Sequence, residues 1–385
     1  MPDPLTDGGG ADGGNGDGLA LYIHWPFCVS KCPYCDFNSH VRAGVDQTRW
    51  RDALRADLAH EAALTPGRRL TSIFFGGGTP SLMPPATVAA LIDAAERQWG
   101  FAPDIEITLE ANPSSVEAAR FADLARVGVN RVSLGLQALD DDALRFLGRA
   151  HGVAEGLAAL DTAQRAFGRV SIDLIYARPG QSVEAWEAEL ARAIGFGTGH
   201  LSLYQLTIEP GTRFATLVAQ GKLATLNPDE AASLFEHTRA QTAAAGLPAY
   251  EISNHARPGD QSRHNLTYWR YGDYVGIGPG AHGRRAGTAT MRAKKPENWL
   301  ARIDADGHGI AEAEMLDPAV RPVEALLMGL RLEEGVPLDR IAGAYRPAAV
   351  DRLAAQGLIT RTATRLRVTP PGMLLLDAIL GEIAA

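Results

Sequence analysis

Six short β-rich runs alternate with helix-patterned stretches over the first half of this chain, and that alternation limits the fold more than any other feature. The runs are LALYIHW from Leu19, LTSIFFGG from Leu70, DIEITLEA from Asp104, RVSLGLQ from Arg131, RVSIDLIYA from Arg169 and HLSLYQLT from His200. Amphipathic stretches at Gln47–Leu64, Pro85–Gln98, Val116–Val127 and Ser182–Ile194 lie between them. The runs carry few charges before their C-terminal ends, which predicts parallel strands buried on both faces. An α/β fold follows, either a partial parallel barrel or a doubly wound open sheet. A barrel gathers its functional residues at the C-terminal strand ends and the loops beyond. The chain obeys: a cysteine loop follows the first run, GGGTPS the second and EANP the third. Gln137 follows the fourth, Asp173 lies on the fifth, and Thr207 ends the sixth.

All the thiols of the 385 residues sit in that first loop, CVSKCPYC, as Cys28, Cys32 and Cys35. Three thiolates so close can hold three corners of an iron–sulfur cubane, where ordinary ferredoxin clusters recruit a fourth. The iron left over would keep an open position, as catalytic metal sites do for a substrate. A zinc ion borrowing His24, Asp36 or His40 is the alternative, although structural zinc sites pair two separated ligand pairs. A disulfide with a spare thiol fits neither the spacing nor a reducing compartment.

Gly76, Gly77 and Gly78 close the second run, with Thr79 behind them. Lacking side chains, they let backbone groups approach a charged ligand, although a tight strand-to-helix turn would need them equally. Glu110, at the end of the third run, could pair with an ammonium group or simply fix its loop. An Arg such as Arg149 can clamp a carboxylate, and Asp173 on a buried strand end needs a partner that justifies its burial.

Composition removes other classes. The formal net charge is −8, which speaks against a nucleic-acid surface dominated by phosphate contacts and predicts no nucleic-acid partner, while leaving room for a local basic patch. No apolar run approaches the about 20 residues of a membrane span. Residues 1–18 read as a disordered acidic, Gly-rich tail without a signal peptide, which with the odd cysteine count predicts a cytoplasmic protein. The barrel is expected over 19–226. A Gly-, His- and Tyr-dense region follows over 227–315, dense enough in aromatics to be a structured cap. Residues 316–385 pattern as helix, helix and short hairpin, an α+β winged-helix-like domain suited to packing or docking rather than to DNA.

Cys-x3-Cys-x2-Cys after a first strand and a glycine turn after a second resemble the radical S-adenosylmethionine superfamily. That resemblance implies a partial (β/α)6 barrel, and a [4Fe-4S] cluster whose open iron is chelated by S-adenosylmethionine. In the superfamily, an electron from the cluster then cleaves the cofactor's C–S bond. In order, CxxxCxYCDF, GGGTPS, LEANP, SLGLQ…LGRAH and DLIYARPGQ are similar to the branch holding oxygen-independent coproporphyrinogen III dehydrogenases and the HemW heme chaperones. Matched motif by motif, Tyr22, Tyr34, Gly77, Gly78, Thr79, Glu110, Gln137, Arg149 and Asp173 are implied cofactor contacts. Thr207 and His282 match in surroundings that differ from the dehydrogenase pattern.

Within that branch three features favour the chaperones. The dehydrogenase pattern places a fourth cysteine where this chain has Phe37, and it carries an ordered N-terminal segment where this chain has a Gly/Asp-rich tail. HNLTYW, from His264 to Trp269, matches the His-Asn-x-x-Tyr-Trp motif of the HemW branch. The resemblance therefore implies heme as a ligand and heme-acceptor proteins, respiratory ones among them, as partners. An electron donor joins them if S-adenosylmethionine is cleaved. His264 is the candidate axial imidazole, with Tyr268 and Trp269 against the porphyrin face and His255 and His282 as rival ligands. Arg263, Arg270, Arg284 and Arg285 are candidates for the propionates. The alternatives are a coproporphyrinogen oxidase, and another radical enzyme or methyltransferase on the same barrel.

Overall fold

The computed structural model describes residues 18–42 and 44–385, so all but the last residue of the expected tail lies outside the described residues. Six parallel strands stand side by side in chain order: β1 (Gly18–Trp25), β2 (Arg69–Gly77), β3 (Phe101–Ala111), β4 (Arg131–Gln137), β5 (Arg169–Tyr176) and β6 (His200–Gln205). A doubly wound sheet would reverse direction at a switch point, and this order has none. The sheet is the open, partial barrel. Its outer face is covered by helices that include α1 (Gln47–Leu64), α2 (Pro85–Trp99), α3 (Val153–Ala166) and α4 (Val183–Gly195). Side-chain caps start two of them: Asp46 accepts from Arg49 N–H at 3.0 Å and Ser182 from Ala185 N–H at 3.2 Å.

The strands differ from the two-sided apolar pattern expected of them. Leu19, Leu21, Ile23, Ile73, Phe75, Ile107, Leu109, Val132, Leu134, Ile172, Leu174, Leu201 and Leu203 pack outward into the main core. Their neighbours are polar and belong to the opposite, inner face: Ser72, Glu106, Thr108, Arg131, Ser133, Ser171, His200 and Ser202, all buried. Period-two alternation puts one set on each face. The inner set tolerates burial because residues from later in the chain hydrogen-bond to it.

Those later residues come from 227–315. Helix α5 (Pro228–Ala244), started by an Asn227/Glu230 capping box, leads to β7 (Asn254–Ala256), which pairs antiparallel with β6. Helix α6 (Arg263–Trp269) then enters the barrel against β2. Beyond it, β8 (Tyr274–Ile277) pairs parallel with the free side of β1. Strands β9 (His282–Arg285), β10 (Thr288–Arg292) and β11 (Ile310–Met315) extend that edge antiparallel. One segment thus supplies strands on both edges and a plug between them. Helix α7 (Pro296–Asp306) lays Trp299 on Trp50 of α1, rings 5.2 Å apart and 9° from parallel.

The C-terminal α+β domain has its own core, including Leu326, Val336, Ile341, Val350, Leu366 and Leu380. Its three-stranded antiparallel sheet places β14 (Arg365–Val368) between β12 (Val336–Pro337) and β13 (Ile359–Arg361). It docks onto the plug: Arg270 donates to both oxygens of Glu334 at 2.9 and 2.8 Å, and Tyr271 donates to Glu324. No helix among the described residues is long and apolar enough to cross a membrane.

Candidate cofactor site

The cysteine loop leaves β1 and returns to it. Phe27–Cys28 bridges His40–Val41 in parallel, with His40 N–H donating to Pro26 C=O at 2.7 Å. Cys35 N–H donates to Cys32 C=O at 3.2 Å, a tight turn between two of the three half-buried thiols. Each thiol meets a polar group of its own. Thr79 Oγ1 donates to Cys28 Sγ at 3.5 Å, Arg149 Nη1 to Cys32 Sγ at 3.4 Å, and Ser39 Oγ lies 4.0 Å from Cys35 Sγ. Burial pushes the Cys28 and Cys35 thiols up, a cost that binding to iron removes.

Asn112 was not singled out in the sequence, yet it joins two of these contacts. Its Nδ2 donates to Thr79 Oγ1 at 3.2 Å and its Oδ1 accepts from Arg149 Nη2 at 2.5 Å. A chain of hydrogen bonds therefore runs from Cys28 through Thr79, Asn112 and Arg149 to Cys32. In the sequence Asn112 is only an amide just after the third run, in EANP, where Glu110 drew the reading.

The proposed zinc ligand His24 is engaged at both ring nitrogens. Nδ1 meets Tyr22 OH at 2.9 Å and Nε2 the backbone oxygen of Asn38 at 2.9 Å. Among the described residues, no three His, Cys, Asp or Glu side chains converge as one ion requires. Three thiols spread around a loop suit a multi-iron cluster instead. Asn38 bolts the loop to the rest of the molecule, its Nδ2 donating to Pro279 C=O at 2.9 Å and Lys294 C=O at 2.8 Å.

The glycine turn is packed directly against this loop. Gly77 has φ 112°, and a Cβ there would fall 2.5 Å from the His24 ring. One on Gly78 would fall 2.7 Å from Phe27 C=O. Gly78 N–H donates to Trp25 C=O and Thr79 N–H to Phe27 C=O, at 2.7 and 2.9 Å. The glycines are required here by the tight packing of the turn on the loop.

Inside the mouth, Gly77 N–H donates to Glu110 Oε2 at 3.2 Å. Burial and the nearby Asp173 carboxylate push Glu110 up to about 8. Asp173 is also raised by burial, against the bond it accepts from Ser133 Oγ at 2.9 Å. Two crowded carboxylates that resist ionisation would be relieved by a cation placed beside them. Tyr204, on β6, feels the charges of Asp173, Glu251 and Glu110. It too was missed, although alternation in HLSLYQ sets it on the face of His200 and Ser202.

Gln137 takes φ 67° where the β4–β5 register shifts after Leu134. A Cβ on Gly135 would stand 2.7 Å from its Nε2. Tyr34 is half-buried in the cysteine loop beside Phe214, rings 6.4 Å apart. Thr207 is exposed just past β6, and His282 is exposed at the start of β9, close enough for its charge to act on His24. Tyr22, Tyr34, Gly77, Gly78, Thr79, Glu110, Arg149 and Asp173 are therefore brought together with the three thiols, and Thr207 and His282 stand at the margin.

The heme candidates lie elsewhere. His264 is buried in the plug, its Nδ1 3.1 Å from Ser72 Oγ and its Nε2 2.8 Å from Tyr268 OH. Its ring stacks on Phe74 at 5.0 Å, and burial holds its pKa down to about 3. Tyr268 packs on Tyr274 at 4.3 Å, and Trp269 lies under Arg331 at 5.6 Å. Iron ligation by His264 would require one of its two bonds to break. His255 is buried with Nδ1 on Thr242 Oγ1 at 2.9 Å. Arg263, Arg270 and Arg285 pair with Asp104, Glu334 and Glu61, and Arg284 covers the Tyr271 ring at 3.6 Å.

An open parallel barrel with a three-thiol loop and a glycine turn at its C-terminal mouth defines a radical S-adenosylmethionine fold, and residues 22–193 match the Radical SAM superfamily model. Residues 316–375 match the HemN C-terminal domain. The solved coproporphyrinogen III oxidase (HemN) of Escherichia coli superposes with a TM-score of 0.79, covering 94% of this chain and 89% of that one. At 24% identity, that likeness establishes the fold. The heme chaperone HemW of Escherichia coli is 39% identical, over 94% of this chain and 97% of its own length. The mitochondrial radical S-adenosyl methionine domain-containing protein 1 of Mus musculus is 41% identical, over 94% and 86%. The chain belongs to the HemW heme chaperone family.

Proposed function

We propose that this chain is a heme carrier that binds heme, one [4Fe-4S] cluster and S-adenosylmethionine and passes heme to acceptor proteins. The observation that carries the reading is the identity of 39% with the Escherichia coli HemW chaperone over almost the whole of both chains. Cys28, Cys32 and Cys35 would hold the cluster, which would supply one-electron chemistry and an iron with a position free for S-adenosylmethionine. Glu110 and Asp173 receive the cofactor's positive charge, and Gly77 and Gly78 let backbone groups reach it. Arg149 and Thr79 orient the thiols through Asn112. Cytoplasmic placement, respiratory acceptors and an electron donor belong to the same proposal.

Phe37 stands 58% exposed beside the cluster loop, where the dehydrogenase pattern has its fourth cysteine. The deciding experiment reconstitutes the cluster without oxygen and titrates heme by its absorption. The same protein is then incubated with S-adenosylmethionine, a reductant and coproporphyrinogen III. Saturable heme binding without porphyrinogen turnover is expected; protoporphyrinogen formed over many turnovers would replace this reading with the oxidase.

A further inference from the structure

The N-terminal ends of β4, β5 and β6 open away from the cluster and surround a cavity of about 250 Å3. Its walls carry three guanidinium groups, Arg131, Arg169 and Arg257, against one carboxylate, Asp260. His200 also lines it, and burial and the two nearby arginines hold its ring neutral, with Nδ1 on Ser171 Oγ at 2.7 Å and Nε2 on Tyr250 OH at 3.0 Å.

The three arginines are not equivalent. Arg169 is fully engaged: Nη1 donates to Glu106 at 2.8 Å and Nη2 to the backbone oxygens of Asp260 and Gln261 at 2.9 and 3.0 Å. Its Nε lies 3.7 Å from Asp260 Oδ1, which accounts for the one lining carboxylate. Arg257 is exposed and donates from Nη2 to Gly197 C=O at 3.1 Å. Arg131 is only 2% exposed. Among the described residues its side chain makes one hydrogen bond, a long 3.5 Å contact from Nη1 to Thr108 Oγ1. Glu106 balances its charge but makes no hydrogen bond to it, taking instead Arg169, Ser262 Oγ and the N–H groups of Arg263 and His264, each of these last two at 3.2 Å. A buried guanidinium with donors unused is costly unless something else accepts from them. Arg131 is one of the residues that line the cavity, so an acceptor seated there lies within its reach.

We propose that this cavity is a binding site for a small oxyanion, of phosphate or carboxylate type, held by Arg131 from inside and Arg257 at the rim. The planar fork of a guanidinium matches two oxygens of either group. The volume is ample for such an anion together with water. Neither the cluster loop nor the carboxylate pair at the opposite mouth is involved.

The full-length chain is titrated with inorganic phosphate or with propionate, ionic strength being held constant with chloride, and followed by thermal unfolding and titration calorimetry. One anion or both raise the unfolding midpoint saturably, and which of them does so identifies the source. Arg257→Gln, a surface change that leaves folding intact, weakens that binding about tenfold, the size of one charge-assisted hydrogen bond. Arg131→Lys, which keeps the charge but not the fork, weakens it as well. A response no greater than that to chloride overturns the proposal, as does equal binding by wild type and both variants. Heme titration of the same samples reads the carrier function separately.

Discussion

At the scale of single residues, Glu110 carries the clearest chemical consequence. An unfolded glutamate releases its proton near 4.5, but in the fold the proton is held to about 8. Between those values the folded chain binds a proton that the unfolded chain has lost, so stability falls as pH rises through that window. Without cofactor, Glu110→Gln is expected to raise the unfolding midpoint at pH 7–8 and to flatten its pH dependence above about 4.5. With cofactor the sign reverses, because a cation prefers the ionised carboxylate. S-adenosylmethionine affinity, measured by equilibrium dialysis on the cluster-loaded protein, should rise with pH toward about 8 and drop about tenfold or more in Glu110→Gln. The residues named from motifs were legible because thiols, glycines and strand-end acids have few other uses in that order. Asn112 and Tyr204 were not, since an amide after a strand and a tyrosine on one acquire meaning only from what lies across the barrel.

At the scale of elements, α1 is joined to the β9–β10 edge by charges that never meet water. Arg292 is fully buried, its Nε 3.2 Å from Asp57 Oδ2 and its Nη2 2.6 Å from Glu61 Oε1. Asp57 also takes Gly278 N–H at 3.1 Å, Gly309 N–H at 3.0 Å and the Trp299 indole at 3.3 Å. Removing the cation would leave buried Asp57 with neutral donors alone and Glu61 with Arg285 alone. Arg292→Met should therefore cost about 3–5 kcal/mol by urea unfolding, and cluster content per chain should fall with it, since Gly278 sits beside Pro279, an anchor of Asn38. None of this was readable from spacing: Asp57 and Glu61 look like the solvated face of an amphipathic helix. The alternation of the strands was readable. RVSID, ITLE and HLSLY alternate strictly, and a period-two count predicts a polar interior where low charge alone suggested two apolar faces.

At the scale of the whole molecule, the polar interior makes the fold acid-sensitive. Burial lowers His24 to about 4, and His255 and His264 to about 3, whereas in an unfolded chain each titrates near 6.5. Below about 6.5 the unfolded state takes up protons that the folded state refuses, so stability should decline steadily from there to about pH 4. Denaturant midpoints across pH 4–7 check this, and His264→Asn should remove about one proton from the slope. That the six runs form parallel strands was inferable from their pattern, while their order, which separates a barrel from a doubly wound sheet, came with the resemblance. That residues 254–277 would pair with both β6 and β1 was not inferable, because such long-range pairing leaves no local periodicity.

That double pairing sets the order in which the molecule can be completed. During synthesis β1 emerges early, yet one of its edges stays open until Tyr274–Ile277 has left the ribosome. Glu106 and Arg169 likewise wait for the backbone of residues 260–264. Pairings this distant in sequence are slow to form and leave strand edges exposed meanwhile. Asn38 reaches its two anchoring carbonyls only after Lys294 is made. The thiol loop therefore acquires its final shape only once the 256 residues after Asn38 have been made, and iron–sulfur delivery becomes a maturation step that waits for them.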